Sequence, residues 1–343
     1  MPRPESERVG FAIVGLGSFA LNQIIPSFGE AKHARLAALV SGSPEKARTL
    51  GRAFGVSEEH QYTYDSFDRI AQDPTVQVVY VITPNSLHEE LVVRAAKAGK
   101  HVLCEKPMAP TADACERMIA ACKAAGRRLM IAYRAQYEPY NMKAIELCRG
   151  GELGRIKLVT SDHGRTLDPK DPADQWRVSR ELAGGGSLVD IGIYSLQAAR
   201  YLTGEEPVEV QGLVHSTEGD PRFREVEETC LFQLRFPSGA LASCSSSYGQ
   251  SEVKRIQVMA EKASLELDPA TDYYKHNLWI RTKQEERKLL VEDGNQFAAE
   301  MDHMAECVLA GKEPKTPGEE GLRDVRIMQA IYESAREGRV VRL

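Results

Sequence analysis

The stretch Val9-Gly10-Phe11-Ala12-Ile13-Val14-Gly15-Leu16-Gly17-Ser18-Phe19-Ala20 decides the fold. An apolar run over residues 9–14 leads straight into Gly-x-Gly-x-x-Ala, and a helical pattern follows. In a strand–turn–helix of this kind Gly15 permits the tight turn. Gly17 lets the backbone approach a pyrophosphate, and the small Ala20 lets helix and strand pack closely. Phosphates are expected beside Ser18 and Phe19 at the helix N-terminus, where unpaired N–H groups and the helix dipole favour anions.

Outward from this turn, the first third of the chain alternates short apolar strands with helices. Strands are expected at 9–14, 36–40, 76–83, 101–104 and 129–132, with helical periodicity at 86–99 and 111–126. That alternation implies a parallel, doubly wound sheet with helices on both faces, an α/β Rossmann domain at 1–132. From Tyr133 the rhythm changes. Alternating strands are expected at 230–236, 240–246, 255–260 and 278–282, with Pro237-Ser238-Gly239 as a hairpin turn. Residues 133–343 are therefore expected to form an α+β domain with a large, mostly antiparallel open sheet, closed by helices at 295–310 and 318–337.

The second strand distinguishes the nucleotide. An NAD site usually ends this strand in Asp or Glu, which accepts from the ribose 2′-OH. This chain ends it in Ser41-Gly42-Ser43-Pro44-Glu45-Lys46. Ser41 can donate to a 2′-phosphate and Lys46 can pair with it, so NADP is favoured. The alternative is that Ser41 caps the next helix and Lys46 is solvated. Thr83, Asn85 and His88 follow the strongest parallel strand, at a carboxyl end where ligands bind, and are expected to line the cofactor site. Tyr64, after the third short strand, is a further candidate beside the adenine ribose.

Lys106 also sits at a strand carboxyl end, beside Pro107, which excludes a helical continuation. Asp190 and Tyr194 are four apart, on one face of a helix, after the triple glycine Gly184-Gly185-Gly186. Oxidising a sugar hydroxyl removes its proton while a hydride leaves its carbon, and Tyr194 can hold that proton. A free phenol ionises only near ~10, so a base at neutrality needs a neighbouring cation. Lys106 is the expected source and Asp190 the group that steadies it. His88, His163 and His215 are not expected to be catalytic. His303 and Cys307 make too small a set for a metal, and no Gly-x-Ser-x-Gly elbow is present.

Composition agrees with this class. The 343 residues are 42% hydrophobic and 27% charged, and the net charge of −5 supplies no basic footprint for nucleic acid. No apolar run approaches the length of a membrane span. Residues 1–8 lack an apolar leader, and the seven cysteines are scattered singly. A cytoplasmic protein with free thiols is expected.

At these residues the chain resembles the glucose–fructose oxidoreductase / inositol dehydrogenase / rhizopine-catabolism family, Gfo/Idh/MocA, from about Val9 to the C-terminus. The segments Gly15 to Gln23, Glu105 to Met108, Gln175 to Arg177, Asp190 to Tyr194, and Pro269-Ala270-Thr271 with Tyr273-Tyr274 are most similar to the branch of glucose–fructose and aldose–aldose oxidoreductases. Many relatives carry histidine where Tyr194 stands. The resemblance implies Lys106, Asp190 and Tyr194 as the catalytic group and Ser41, Gly42 and Lys46 at the 2′-phosphate. It also implies Glu105, Arg134, Trp176, Arg177 and Tyr273 near the cofactor. In that branch NADP stays bound while one aldose reduces another, giving an aldonolactone and an alditol in a ping-pong cycle. The alternatives are an ordinary NADP-dependent aldose dehydrogenase or anhydro-sugar reductase that exchanges cofactor, and a non-catalytic NADP-sensing regulator. About eight residues precede the first strand, where the glucose–fructose enzyme has a long arm, so a homodimer is expected rather than a tetramer. Strand 230–236 is expected to supply apolar residues to the partner's face.

Overall fold

The computed structural model describes residues 3–343. The chain divides into two compact units. One holds the chain through Arg134 together with Asn295–Leu322, and the other holds Ala135–Gly294 and Arg323–Leu343.

The first unit carries six parallel strands: β1 (Val9–Val14), β2 (Ala34–Val40), β3 (Gln61–Tyr62), β4 (Val78–Val81), β5 (His101–Glu105) and β6 (Leu129–Ala132). Their order is β3-β2-β1-β4-β5-β6, reversing direction at β1 and β4 as a doubly wound sheet does. All six residues of β1 are buried, the pattern of a strand covered on both faces. Helices Pro44–Phe54, His88–Lys97 and Ala112–Ala124 connect the strands.

Within the expected second domain, 133–343, one segment packs with the first unit. Asn295–Leu322 returns to the first unit because helix Gln296–Ala310 buries Phe297, Met301, Met304 and Ala305. Its Asp302 carboxylate also accepts the N–H groups of Lys32 (2.8 Å), His33 (2.7 Å) and Ala34 (3.1 Å), where the chain enters β2.

The second unit is built on nine strands: β7 (Ile156–Thr166), β8 (Glu209–His215), β9 (Thr229–Arg235), β10 (Leu241–Ser247), β11 (Gly249–Ala260), β12 (Ser264–Leu267), β13 (Leu278–Arg281), β14 (Glu286–Leu289) and β15 (Val341–Arg342). The order is β14-β13-β12-β11-β7-β10-β9-β8-β15, and only β7–β10 is parallel. β7, central and long, is absent from the expected strands. Its buried face carries Ser161 and His163, so it does not read as apolar alternation. Ser161 donates instead to the Ser195 hydroxyl at 3.0 Å, on the helix Ile193–Thr203 that covers this face.

Of the apolar residues of β9, Cys230, Phe232 and Leu234 point into the core, while Leu231 points outward. Leu213 opposite it on β8 and Leu241 on β10 are exposed apolar residues of the same region.

Candidate active site

In the first unit the phosphate turn has the expected form. Gly15 adopts φ +96°, and a Cβ there would stand 2.9 Å from the Ile82 carbonyl carbon and 3.0 Å from Thr83 Cγ2. Its N–H donates to the Val40 carbonyl at 3.1 Å, joining the turn to the end of β2. Gly17 and Ser18 are exposed, and nothing lies within 4 Å of where a Gly17 Cβ would be. The space over Gly17 is therefore open to a ligand. Ala20 is fully buried, and Phe19 packs edge-on against Phe297 with ring centroids 5.5 Å apart. Phe19 thus anchors the turn to the returning helix.

At the end of β2 the helix cap is Ser43, not Ser41. Ser43 Oγ accepts the Lys46 N–H at 3.3 Å, as an N-cap does. Ser41 is buried and its Oγ accepts the Ser43 N–H at 3.1 Å, which leaves the hydroxyl hydrogen to donate elsewhere. Gly42 is exposed, with the Tyr64 ring 3.3 Å from the place of a Cβ. Tyr64 is half-buried beside this loop, and burial pushes its phenol up from the ordinary value. Lys46 is exposed on the first turn of the following helix.

Beyond β4, Thr83 is 8% exposed and its hydroxyl has no protein partner, while Asn85 is buried. His88 is a correction. It is fully buried, with Nε2 2.9 Å from the Thr83 carbonyl oxygen and Nδ1 3.1 Å from that of Pro107. It braces the two loops from beneath and presents no surface to a cofactor. Burial is the largest influence on it and pulls its pKa down.

Lys106 is half-exposed at the end of β5. Its N–H donates to Glu105 Oε2 at 3.3 Å, and Glu105 Oε1 accepts the Tyr80 hydroxyl at 2.6 Å. Burial raises the pKa of Glu105 against the pull of Tyr80 and Lys106. Arg134 is buried, its Nη1 donating to Gln296 Oε1 at 2.8 Å.

In the second unit, Asp190 and Tyr194 lie on a helical stretch that opens with a wide turn, Leu188–Gly192, before Ile193–Thr203. Asp190 is 7% exposed, and its Oδ2 accepts from Arg177 Nε at 2.8 Å and from the Tyr248 hydroxyl at 2.7 Å. Arg177 stacks over Trp176, 4.5 Å from the ring centroid. Arg165 forks onto Asp174 at 2.6 and 3.1 Å, and Asp174 lies 3.7 Å from Arg177. Two cations and two anions therefore alternate through this cluster. Burial lowers the Arg177 pKa, but Asp190, Tyr248 and Asp174 outweigh it, so the guanidinium is held above its ordinary value. Tyr248 is fully buried, and burial together with Asp190 holds its phenol well above the usual range.

The Tyr194 ring stacks on His163 at 5.0 Å and 27°, and His163 Nδ1 lies 3.2 Å from Thr271 Oγ1. A hollow beside Tyr194 is lined by Gln136, Asn141, Gln197 and Thr271. Tyr273 is half-buried, its N–H donating to Asp272 Oδ1 at 2.7 Å. Sequence reasoning did not find the bonds of Tyr248 and Arg177 to Asp190, or His163 under Tyr194. No local motif marks these pairs, which are 58, 13 and 31 positions apart.

The first unit fits a dinucleotide phosphate: an open glycine turn, a hydroxyl with a hydrogen to give at Ser41, an exposed Lys46, and an orphaned Thr83 hydroxyl. The seven cysteines are free and buried, and no described helix is long and apolar enough to cross a membrane.

Comparison with known proteins agrees over the whole length. The pattern described as "Oxidoreductase family, NAD-binding Rossmann fold" matches residues 9–133, and "Oxidoreductase family, C-terminal alpha/beta domain" matches residues 145–343. The chain is similar to the crystal structure of aldose-aldose oxidoreductase from Caulobacter crescentus complexed with glycerol. The TM-score is 0.95 and the identity 52%, covering 98% of this chain and 100% of that one. It is 34% identical to D-xylose 1-dehydrogenase [NADP(+)] of Haloarcula marismortui, covering 98% of this chain and 93% of that protein. It is 24% identical to 1,5-anhydro-D-fructose reductase of Ensifer adhaerens, covering 97% and 98% respectively. The chain is an oxidoreductase, and it belongs to the Gfo/Idh/MocA oxidoreductase family.

Proposed function

We propose that this chain is an NADP-dependent sugar oxidoreductase that oxidises a cyclic aldose at C1 to an aldonolactone and reduces a second aldose to an alditol. The observation that carries this reading is the 52% identity to an aldose-aldose oxidoreductase across 98% of the chain. The sequence segments Glu105-Lys106-Pro107 and Asp190 to Tyr194 support it.

Bound NADP would supply the hydride acceptor and donor. The first unit would hold it by the amides of the Gly15 turn, by Ser41, Gly42 and Lys46 at the 2′-phosphate, and by the Thr83 hydroxyl. The chain's own part is proton handling. Tyr194 takes the proton from O1 of the first sugar as its C1 hydrogen departs as hydride. It returns that proton to the carbonyl oxygen of the second sugar, so protons and electrons balance over the two halves. Lys106 is the cation proposed for this catalytic group. The carboxylate of Asp190, pinned by Arg177 and Tyr248, supplies a matching negative charge of fixed direction. Tyr194 itself is held flat by His163.

The relationship to D-xylose 1-dehydrogenase [NADP(+)] favours a second reading, in which NADP exchanges at each turnover. Dialysed protein distinguishes the two. With retained cofactor, adding an aldose alone raises the absorbance of reduced nicotinamide, and a second aldose discharges it. Protein that shows neither change until stoichiometric NADP is supplied is an ordinary dehydrogenase.

A homodimer belongs to the same proposal. Leu213, Leu231 and Leu241 are 60%, 40% and 43% exposed on the outer sheet face, a face that antiparallel sheets commonly cover with another layer. A monomeric mass by light scattering sinks it.

A further inference from the structure

The triple glycine Gly184-Gly185-Gly186 plays no part in the proton chemistry, yet it stands directly before the turn that carries Asp190 and Tyr194. Glu227, 7% exposed, accounts for it. Its Oε2 accepts the Gly186 N–H at 2.9 Å, and its Oε1 accepts the Leu188 N–H at 2.9 Å. Oε1 also accepts the Tyr332 hydroxyl at 2.9 Å, and the Ser187 N–H reaches the Glu227 carbonyl at 3.4 Å. The backbone thus wraps around one buried carboxylate and satisfies amides that a helix entrance otherwise leaves unpaired.

This approach excludes side chains. A Cβ on Gly186 would stand 2.9 Å from Glu227 Cδ, and one on Gly185 would run into the Tyr332 hydroxyl and lie 3.0 Å from Val189 Cγ1. The grip passes on to the reacting residues through the backbone. The Asp190 N–H bonds the Gly186 carbonyl at 3.4 Å, so a displaced Gly186 displaces the turn that aims Asp190. The opposite side of the turn is held by Ser187, whose hydroxyl lies 3.0 Å from that of Ser246 on β10.

We propose that Glu227 and Tyr332 are positioning residues that grip the amides of Gly186 and Leu188 and so set where Asp190 and Tyr194 stand. The catalytic half of this inference rests on the reading of Asp190 and Tyr194 given above, whereas the grip itself does not. Misplacing a catalytic group by about 1 Å lowers rate by about 10²-fold. Loss of both acceptors in Glu227→Ala is therefore expected to lower kcat by about that factor. Glu227→Gln keeps one carbonyl acceptor and Tyr332→Phe removes one donor, so both are expected to fall between wild type and Glu227→Ala.

The test uses the full chain and two measurements. Hydrogen exchange of the peptide spanning residues 184–196 reads the grip without any reaction, and steady-state turnover of an aldose reads its consequence. Exchange is expected to accelerate locally by roughly tenfold in Glu227→Gln, with protection elsewhere retained. The rate should fall in kcat with KM within about twofold of wild type. Unchanged exchange in Glu227→Gln and Tyr332→Phe overturns the grip. Faster exchange with unchanged kcat overturns the positioning role. If Glu227→Ala does not fold, the two conservative variants carry the decision. Wild-type protein that turns over no aldose overturns the proposed function, while the exchange result still judges the grip.

Discussion

Removing one oxygen atom, in Tyr248→Phe, tests the candidate site at its most buried point. The Tyr248 ring packs in a cluster with Leu167, Ile191 and Phe223, and phenylalanine preserves that packing. What disappears is the hydroxyl that donates to Asp190 Oδ2 at 2.7 Å. A hydrogen bond to a charged group contributes about 1.5–3 kcal/mol. The substituted ring carries no hydroxyl to desolvate, and Arg177 still donates to the same oxygen at 2.8 Å. The loss should therefore lie in the lower half, about 1.5–2 kcal/mol. For a body of this size that is a fall in Tm of roughly 3–8 °C. If the same bond aims Asp190 during reaction, kcat falls about twelve- to thirtyfold. Burial and Asp190 hold the phenol far above its ordinary pKa, so it remains a donor throughout the neutral range and the deficit should not vary with pH there. Thermal unfolding by circular dichroism and initial rates at saturating aldose are the assays. A Tm shift and a kcat change both worth less than about 0.5 kcal/mol, the size of an ordinary surface substitution, would refute the reasoning.

Tyr194→Phe should keep the fold and the cofactor while losing about 10²–10⁴-fold in turnover, because only the transferable proton is removed. Near-normal rates would send that proton elsewhere. Lys46→Ala should weaken NADP binding by about tenfold and leave NAD binding unchanged, since one charge-assisted contact to the 2′-phosphate is lost. Equal loss for both cofactors in a fluorescence titration contradicts the assignment. His101 gives the pH dependence. Burial, with Arg127 and Arg128 nearby, lowers its pKa from 6.5 to about 4, so the folded state keeps the ring neutral where the unfolded chain takes up a proton. Its contribution is fully present above pH 6.5 and is lost as pH falls from there toward about 4. The shift corresponds to about 3 kcal/mol, which partial solvent screening reduces to about 2. His101→Asn should flatten this acid limb in urea unfolding, and an unchanged limb assigns it to other groups.

Whatever short-range geometry controls is legible along the chain. Gly15 at positive φ, Gly17 in open space and the buried Ala20 follow from six consecutive residues, because one turn between a strand and a helix sets all three. The strand end at Lys106 and the helical spacing of Asp190 and Tyr194 were legible for the same reason. Tertiary structure alone decided the rest. β7 escaped notice because its buried Ser161 and His163 are satisfied by Ser195 and Thr271, and such pairing leaves no hydrophobic alternation to read. His88 stood in a cofactor-lining loop by sequence, yet the carbonyls of Thr83 and Pro107 draw it beneath. The return of Asn295–Leu322 to the first unit depends on Asp302 meeting three amides some 270 positions earlier. Arg177 and Tyr248 reach Asp190, and Glu227 reaches the glycines, only once separate strands and helices are packed. Pattern along a chain reports neighbours within a few residues, whereas a buried charge takes its partners from wherever folding brings donors within 3 Å of it.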